Sequence, residues 1–198
     1  NRKIAIARDE AFNFMYRENV EALKRAGEVV FFSPLRDKSL PEADMVYFPG
    51  GYPELHLAEL AANEGMRQSV RKYCENGGRV LAECGGMMYL CDTITDGDGK
   101  VYPMAGVLKQ GATMEQMKLK LGYREVRVNG QRIRGHEFHY SRILPTNEKI
   151  PVIGTIYNAK DMVVDTPVYT YKNVLASYIH FYWGECGMDH FLMLMSQK

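Results

Sequence analysis

Short apolar runs punctuate the first half of the chain, and each ends at a charged, proline or glycine residue. Ile4-Ala5-Ile6-Ala7 stops at Arg8-Asp9, Val29 to Phe32 at Ser33-Pro34, and Met45 to Phe48 at Pro49-Gly50-Gly51. Arg79-Val80-Leu81-Ala82 is a further run of this kind and leads into Glu83-Cys84-Gly85-Gly86. Such unbroken runs are the pattern of parallel strands covered on both faces. Between them the apolar period lengthens to that of a helix. Tyr16, Val20 and Leu23 precede a stop at Gly27, and Met66, Val70 and Tyr73 share one face of a stretch from Glu54 to Tyr73 that Gly77-Gly78 breaks. Gly85 to Leu90 reads as the start of another helix. Strands alternating with helices predict βαβ units and a doubly wound α/β half.

The second half changes character. After the polar turn Thr95 to Lys100 come short alternating runs near Tyr123 to Val128, Ile133 to Tyr140 and Val152 to Ile156, then an apolar strand from Val174 to Ile179. These predict β-rich, partly antiparallel structure packed on the first half, with a closing helix near Asp189 to Met195. With no internal repeat and no low-complexity linker, residues 1–198 read as one domain. Lys and Arg number 25 against 24 Asp and Glu, a balance without the electrostatic footprint of a nucleic-acid or anionic-membrane binder. No apolar run is long enough to span a bilayer, and the first is too short for an export signal. The cysteines at 74, 84, 91 and 186 form no CxxC pair, which points to reduced thiols in a cytoplasmic protein. A chain that starts at Asn1 and enters a strand almost at once is expected of a piece of a longer protein.

The segment richest in chemistry is Val80 to Met88. A buried strand runs into Cys84, two glycines follow, and a helix begins, which is the layout of a nucleophile elbow. Ala82, Gly85 and Gly86 are small enough for a sharp turn. The start of the helix favours a thiolate, and the Gly85 N–H would face a developing oxyanion. Against this stands the plainer reading of a buried structural cysteine, which the flanking glycines and the strand-to-helix setting make the weaker one. Gly50 and Gly51, at the end of another parallel strand, offer a second backbone donor in the place where open α/β sheets put their ligands. Cys74 and Cys91, which fall in helical stretches, and Cys186 lack such a setting and read as core or incidental.

A cysteine nucleophile needs a base. His136-Glu137-Phe138-His139 is one residue short of the zinc motif HExxH, and on a strand its two histidines face opposite sides. His180 ends a buried strand before Phe181-Tyr182-Trp183-Gly184. From the residues alone His180 and His139 are equal candidates, while His56 and His190 read as structural.

The motifs Pro49-Gly50-Gly51-Tyr52-Pro53-Glu54, Ala82-Glu83-Cys84-Gly85-Gly86-Met87-Met88-Tyr89-Leu90, Leu121-Gly122-Tyr123-Arg124, Gly135-His136-Glu137-Phe138-His139-Tyr140-Ser141 and Ala176-Ser177-Tyr178-Ile179-His180 stand in this order. Together they resemble the C-terminal glutamine amidotransferase domain, of the class I Cys-His type, of cobyrinate a,c-diamide synthases. The resemblance covers nearly the whole chain. It implies a flavodoxin-like three-layer sandwich with a mainly parallel central sheet, and a domain that hydrolyses glutamine to glutamate and ammonia. It implies no cofactor in this domain. ATP and Mg²⁺ would belong to an N-terminal synthetase domain, whose phosphate-binding GxxxxGK[ST] motif is absent from these residues. There ammonia would amidate the a and c carboxylates of a corrin; hydrogenobyrinate or a nickel tetrapyrrole are alternative acceptors.

By the same resemblance Cys84 is the nucleophile, His180 its base, and Gly51 and Gly85 the oxyanion-hole positions. Tyr52, Glu54 and Arg124 are the candidates for holding glutamine. Tyr182 stands where many class I amidotransferases have a glutamate that orients the histidine, which leaves Glu137 or a backbone carbonyl for that task. The competing expectations are a non-catalytic or regulatory domain of the same shape, and a different thiol hydrolase on the same fold.

Overall fold

The computed structural model describes residues 2–184, so the expected closing helix, Cys186 and His190 lie outside the described residues. The first half runs β1 (Lys3–Ala7), α1 (Arg17–Ala26), β2 (Glu28–Phe32), β3 (Met45–Phe48), α2 (Leu57–Ala62), α3 (Glu64–Glu75), β4 (Arg79–Glu83) and α4 (Gly85–Leu90). The second half follows as β5 (Cys91–Thr95), β6 (Val101–Pro103), β7 (Leu108–Thr113), β8 (Lys120–Val128), β9 (Gln131–His139), β10 (Arg142–Ile143), β11 (Thr155–Tyr157), β12 (Val163–Val164), β13 (Val168–Tyr171), β14 (Val174–Ser177) and β15 (Ile179–Tyr182). No helix among the described residues is long and apolar enough to cross a membrane.

The central sheet has the order β13-β14-β4-β3-β1-β2, and all its pairs are parallel except the antiparallel edge strand β13. Its inner strands β1, β3, β4 and β14 bury both faces, as their unbroken apolar runs require, while the edge strands β2 and β13 are only partly covered. Ile4 and Ile6 of β1 turn to one face, with Met45, Tyr47 and Leu81, and meet Ala22 and Leu23 of α1. Ala5 and Ala7 turn to the other, with Val46, Phe48, Val80 and Ala82, and meet Leu57 and Leu60 of α2 and Met66 and Val70 of α3.

Two smaller sheets extend these layers. The antiparallel sheet β12-β11-β8-β9-β15 adds Val126, Ile133 and Ile179 to the α1 side. The sheet β10-β7-β5-β6 adds Ile94, Leu108 and Ala112 to the opposite side. The result is the expected α/β sandwich with a mainly parallel central sheet and a β-rich second half.

Three local expectations are corrected. The helical stretch from Glu54 to Tyr73 is a 3-10 turn at Pro53–Leu55 and then two helices broken at Asn63. Asn63 leaves the helical path because its side chain caps α3, accepting from the Met66 N–H at 3.4 Å, and donates to the Pro34 and Asp37 carbonyls at 2.8 Å each. The expected single strand Val174 to Ile179 is interrupted at Tyr178, so β14 stays in the central sheet and β15 crosses to the antiparallel one. Ser177 shapes that crossing: its hydroxyl donates to the Pro167 carbonyl at 2.9 Å and accepts from the Ile179 N–H at 3.2 Å. Cys91, expected in a helix, opens β5.

Candidate active site

The carboxyl ends of the neighbouring parallel strands β3 and β4 carry Gly50-Gly51 and Cys84, where open α/β sheets place their ligands. Cys84 joins β4 to α4 with φ 50° and ψ −110°, a region L-residues rarely enter and which costs about 1–3 kcal/mol. The turn is held because the Cys84 N–H donates to the Ser177 carbonyl at 2.7 Å and its carbonyl accepts from Met88 at 3.0 Å. Gly51 has φ 149°, and a Cβ there would lie 2.3 Å from the Ala11 carbonyl oxygen. The backbone of Gly50 exchanges hydrogen bonds with Phe14 at 3.0 and 3.1 Å. A Cβ on Gly50 would lie 2.3 Å from Cε1 of His180, so the imidazole rests against that glycine.

A cavity of about 330 Å³ opens here, lined among others by Cys84, His180, Gly51, Tyr52, Glu54 and His139. Cys84 is only 6% exposed, and that remainder faces the cavity. Burial, reinforced by the Glu54 charge, pushes its thiol up to about 12, while the Gly85 N–H acts in the opposite direction. The expectation that the turn favours a thiolate is therefore corrected. A helix of six residues does not outweigh the loss of water, and the resting group is a thiol. Its Sγ donates to the Phe138 carbonyl at 3.6 Å.

His180 arrives on β15, in register with His136 of β9, and packs edge-on against Phe14 at 4.7 Å between ring centroids. Its Nδ1 is buried and has no hydrogen-bond partner among the described residues. Burial, then the charges of His136 and His139, hold its pKa down to about 4. The ring is thus neutral at neutral pH and able to accept a proton.

His139 is placed differently. It stacks on Tyr178, with centroids 3.5 Å apart. Its Nδ1 meets the Ser141 carbonyl at 2.8 Å and its Nε2 meets Glu137 at 2.6 Å. Both ring nitrogens are therefore engaged, one by a backbone carbonyl and one by a carboxylate. Glu137 is fully buried, and it also accepts from Arg124 Nε at 2.8 Å and from Thr166 at 2.7 Å. Burial opposes its ionisation, but the hydrogen bonds of His139, Thr166 and Arg124 prevail and bring its pKa to about 2.

This arrangement overturns two sequence expectations. Glu137 orients His139 rather than His180. Arg124, expected among the glutamine-holding residues, is buried against Glu137 and the Tyr123 carbonyl and does not line the cavity. Tyr52 and Glu54 do line it. Glu54 Oε1 is buried without a partner, and burial raises its pKa. Tyr182, in place of the orienting glutamate, packs edge-on against Tyr16.

Phe14, Met88, Phe138 and Tyr140 also wall the cavity and escaped the sequence reading. Phe138 and Tyr140 belong to the GHEFHYS segment, whose alternation marks them as the face opposite His139. Phe14 left no signal in an irregular stretch. Cys74, Cys84 and Cys91 are all unpaired and buried.

Residues 3–187 match the model of the CobB/CobQ-like glutamine amidotransferase domain. The chain belongs to this family. It is 37% identical over 191 residues to the cobyrinate a,c-diamide synthase of Salmonella typhimurium, covering 92% of this chain and 42% of that protein. It is 40% identical over 181 residues to the hydrogenobyrinate a,c-diamide synthase of Pseudomonas aeruginosa, covering 91% and 41%. The amidotransferase chain thus spans about two fifths of the length of these curated relatives. Among solved structures, a glutamine amidotransferase crystal structure aligns with a TM-score of 0.62 at 24% identity, covering 98% of this chain and 99% of that one. The PurLQS structure from Thermotoga maritima aligns at 0.61 and 18% identity, covering 98% and 96%. At these identities the likeness is one of fold.

Proposed function

We propose that this amidotransferase domain hydrolyses glutamine through Cys84 and supplies the ammonia to an ATP-dependent amidoligase that forms the a,c-diamide of cobyrinate or hydrogenobyrinate. The observation that carries the reading is the strained Cys84 turn sharing one cavity with a neutral, uncommitted His180 above the Gly50-Gly51 loop. The curated relatives, whose names specify the acceptor, support the second half. ATP, Mg²⁺ and the corrin would be bound by the part of such a protein that lies beyond these residues.

Glutamine enters with its side-chain amide toward Cys84. As Sγ bonds to the amide carbon, the thiol proton passes to His180. The Gly85 and Gly51 N–H groups stabilise the oxyanion, an effect worth roughly 2.7–4 kcal/mol for one donor in comparable hydrolases. The C–N bond breaks, the His180 proton goes to the leaving nitrogen, and ammonia departs from a γ-glutamyl thioester. Water deprotonated by His180 then attacks the thioester, releasing glutamate and restoring the thiol. A thiol and a neutral imidazole suit this sequence, because the proton moves only when substrate is in place. Glu54, unpartnered in the wall, is the acceptor for the glutamine α-ammonium, and Tyr52 flanks it.

The test is ammonia release from glutamine by the intact protein. Cys84→Ala is expected to abolish it while leaving the fold and the unfolding midpoint close to the parent. Full activity in that variant rejects the reading.

A further inference from the structure

Two buried polar side chains outside the reacting groups converge on the strand that carries His180. Among the described residues β15 pairs with β9 on one side and with no strand on the other. Backbone groups of successive residues in a strand point to opposite edges. The groups of Phe181, next to His180, turn away from β9. There the Phe181 N–H donates to Glu83 Oε2 at 3.0 Å, and its carbonyl accepts from Asn19 Nδ2 at 2.6 Å. Asn19 Oδ1 accepts in turn from the Trp183 N–H at 3.0 Å. Glu83, on β4, and Asn19, on α1, thus hold this side of β15 with side-chain hydrogen bonds. Both are at most 1% exposed.

We propose that Glu83 and Asn19 are positioning residues that fix the His180 backbone at the cavity it shares with Cys84. The proposal rests on the Cys84–His180 reading above. Its basis is a contrast. No hydrogen bond holds the His180 imidazole at Nδ1 among the described residues, so the ring takes its place from the main chain and from packing against Gly50 and Phe14. Glu83 immediately precedes Cys84, and its carboxyl grips the residue immediately after His180. One side chain therefore ties the nucleophile's strand to the base's strand across two different sheets. The Tyr47 hydroxyl, donating to the other carboxyl oxygen, fixes the Glu83 rotamer from β3. A carboxyl buried at this depth is costly unless fully hydrogen-bonded, and an apolar residue would fill the space at less cost if packing were its only duty.

The experiment measures glutaminase kcat and KM on the intact protein for Cys84→Ala, Glu83→Ala, Glu83→Gln and Asn19→Asp. Glu83→Ala is expected to lower kcat about tenfold or more, since small misplacements of a reacting group are expensive, with KM for glutamine within about threefold. Glu83→Gln keeps an oxygen for the Phe181 N–H and restores kcat to within about threefold of the parent. Asn19→Asp keeps the acceptor for Trp183 but removes the donor to the Phe181 carbonyl, and lowers kcat with KM unchanged. It also carries the test if Glu83→Ala does not fold. An unchanged kcat in Glu83→Ala or Asn19→Asp, a loss confined to KM, or a Gln variant as poor as the Ala variant overturns the positioning role. Full activity in Cys84→Ala overturns the underlying reading instead, so the two failures are distinguishable.

Discussion

At Gly50 the missing side chain makes room for the His180 ring. Its φ lies outside the left-handed region, so an alanine there meets no backbone penalty, only the His180 ring at 2.3 Å. Gly50→Ala is therefore expected to leave the unfolding midpoint within a few degrees of the parent and to lower kcat for glutamine about tenfold or more by displacing the imidazole. Equal kcat in a steady-state assay would show that the ring has room to retreat. Glu54 makes the complementary case. Its Oε1 is buried in the cavity wall with no partner, so Glu54→Gln should relieve a desolvated carboxylate and at the same time remove the counter-charge for an α-ammonium. The expected result is a rise in KM of about tenfold with kcat nearly unchanged, read from initial rates across glutamine concentrations. At this scale Cys84 was legible because its turn needs small neighbours, and Ala82, Gly85 and Gly86 supply them. The reason for Gly50 was not legible, since the group it accommodates arrives from a strand 130 residues later. Nor was the fate of Arg124. Its partner Glu137 comes into reach only when β8 pairs with β9, placing Arg124 opposite Gly135.

Most elements of the first half are readable from apolar period alone, because parallel strands covered on both faces leave no polar position to confuse the pattern. The errors fall where a side chain competes with the backbone for hydrogen bonds. Asn63 interrupts a continuous helical pattern by capping α3 and by binding two loop carbonyls, and Ser177 turns the chain out of the central sheet by engaging Pro167 and Ile179. The loop carbonyls that Asn63 binds and the Pro167 carbonyl that Ser177 binds lie too far along the chain to be read from spacing. Asn63→Ala removes a cap and strands the Pro34 and Asp37 carbonyls, so it should cost about 2–3 kcal/mol in urea unfolding, with the slope of the transition unchanged. A cost below about 0.5 kcal/mol would mean that water replaces the amide at both carbonyls. The Ser177 crossing matters more for function. Without the break at Tyr178, β15 would continue in the central sheet, and His180 would not meet the Gly50 loop.

For the molecule as a whole, several buried titrating groups set a stability profile that their neighbours determine. Glu137 is lowered from 4.5 to about 2 in the fold, so its contribution is complete above pH 4.5 and is lost as pH falls toward 2. His180 is lowered from 6.5 to about 4, so the unfolded chain binds a proton that the folded one refuses, and stability declines as pH falls from 6.5 to 4. Glu83 is raised from 4.5 to about 8, so the fold retains a proton that the unfolded chain gives up, and stability declines as pH rises from 4.5 to 8. Between pH 4.5 and 6.5 the His180 and Glu83 slopes oppose each other. Above 6.5 the Glu83 slope continues alone, and from 9 upward the Cys74, Cys84 and Cys91 thiols, all raised to about 12, extend the decline. Urea midpoints are therefore expected to be nearly flat from pH 4.5 to 6.5 and to fall on both sides. In Glu83→Gln the fall between pH 6.5 and 8 should disappear while the acid side is unchanged. If the variant retains the parent's alkaline slope, Glu83 is already ionised in the fold at neutral pH, and the Tyr47 and Phe181 hydrogen bonds are strong enough to hold a bare carboxylate in the core.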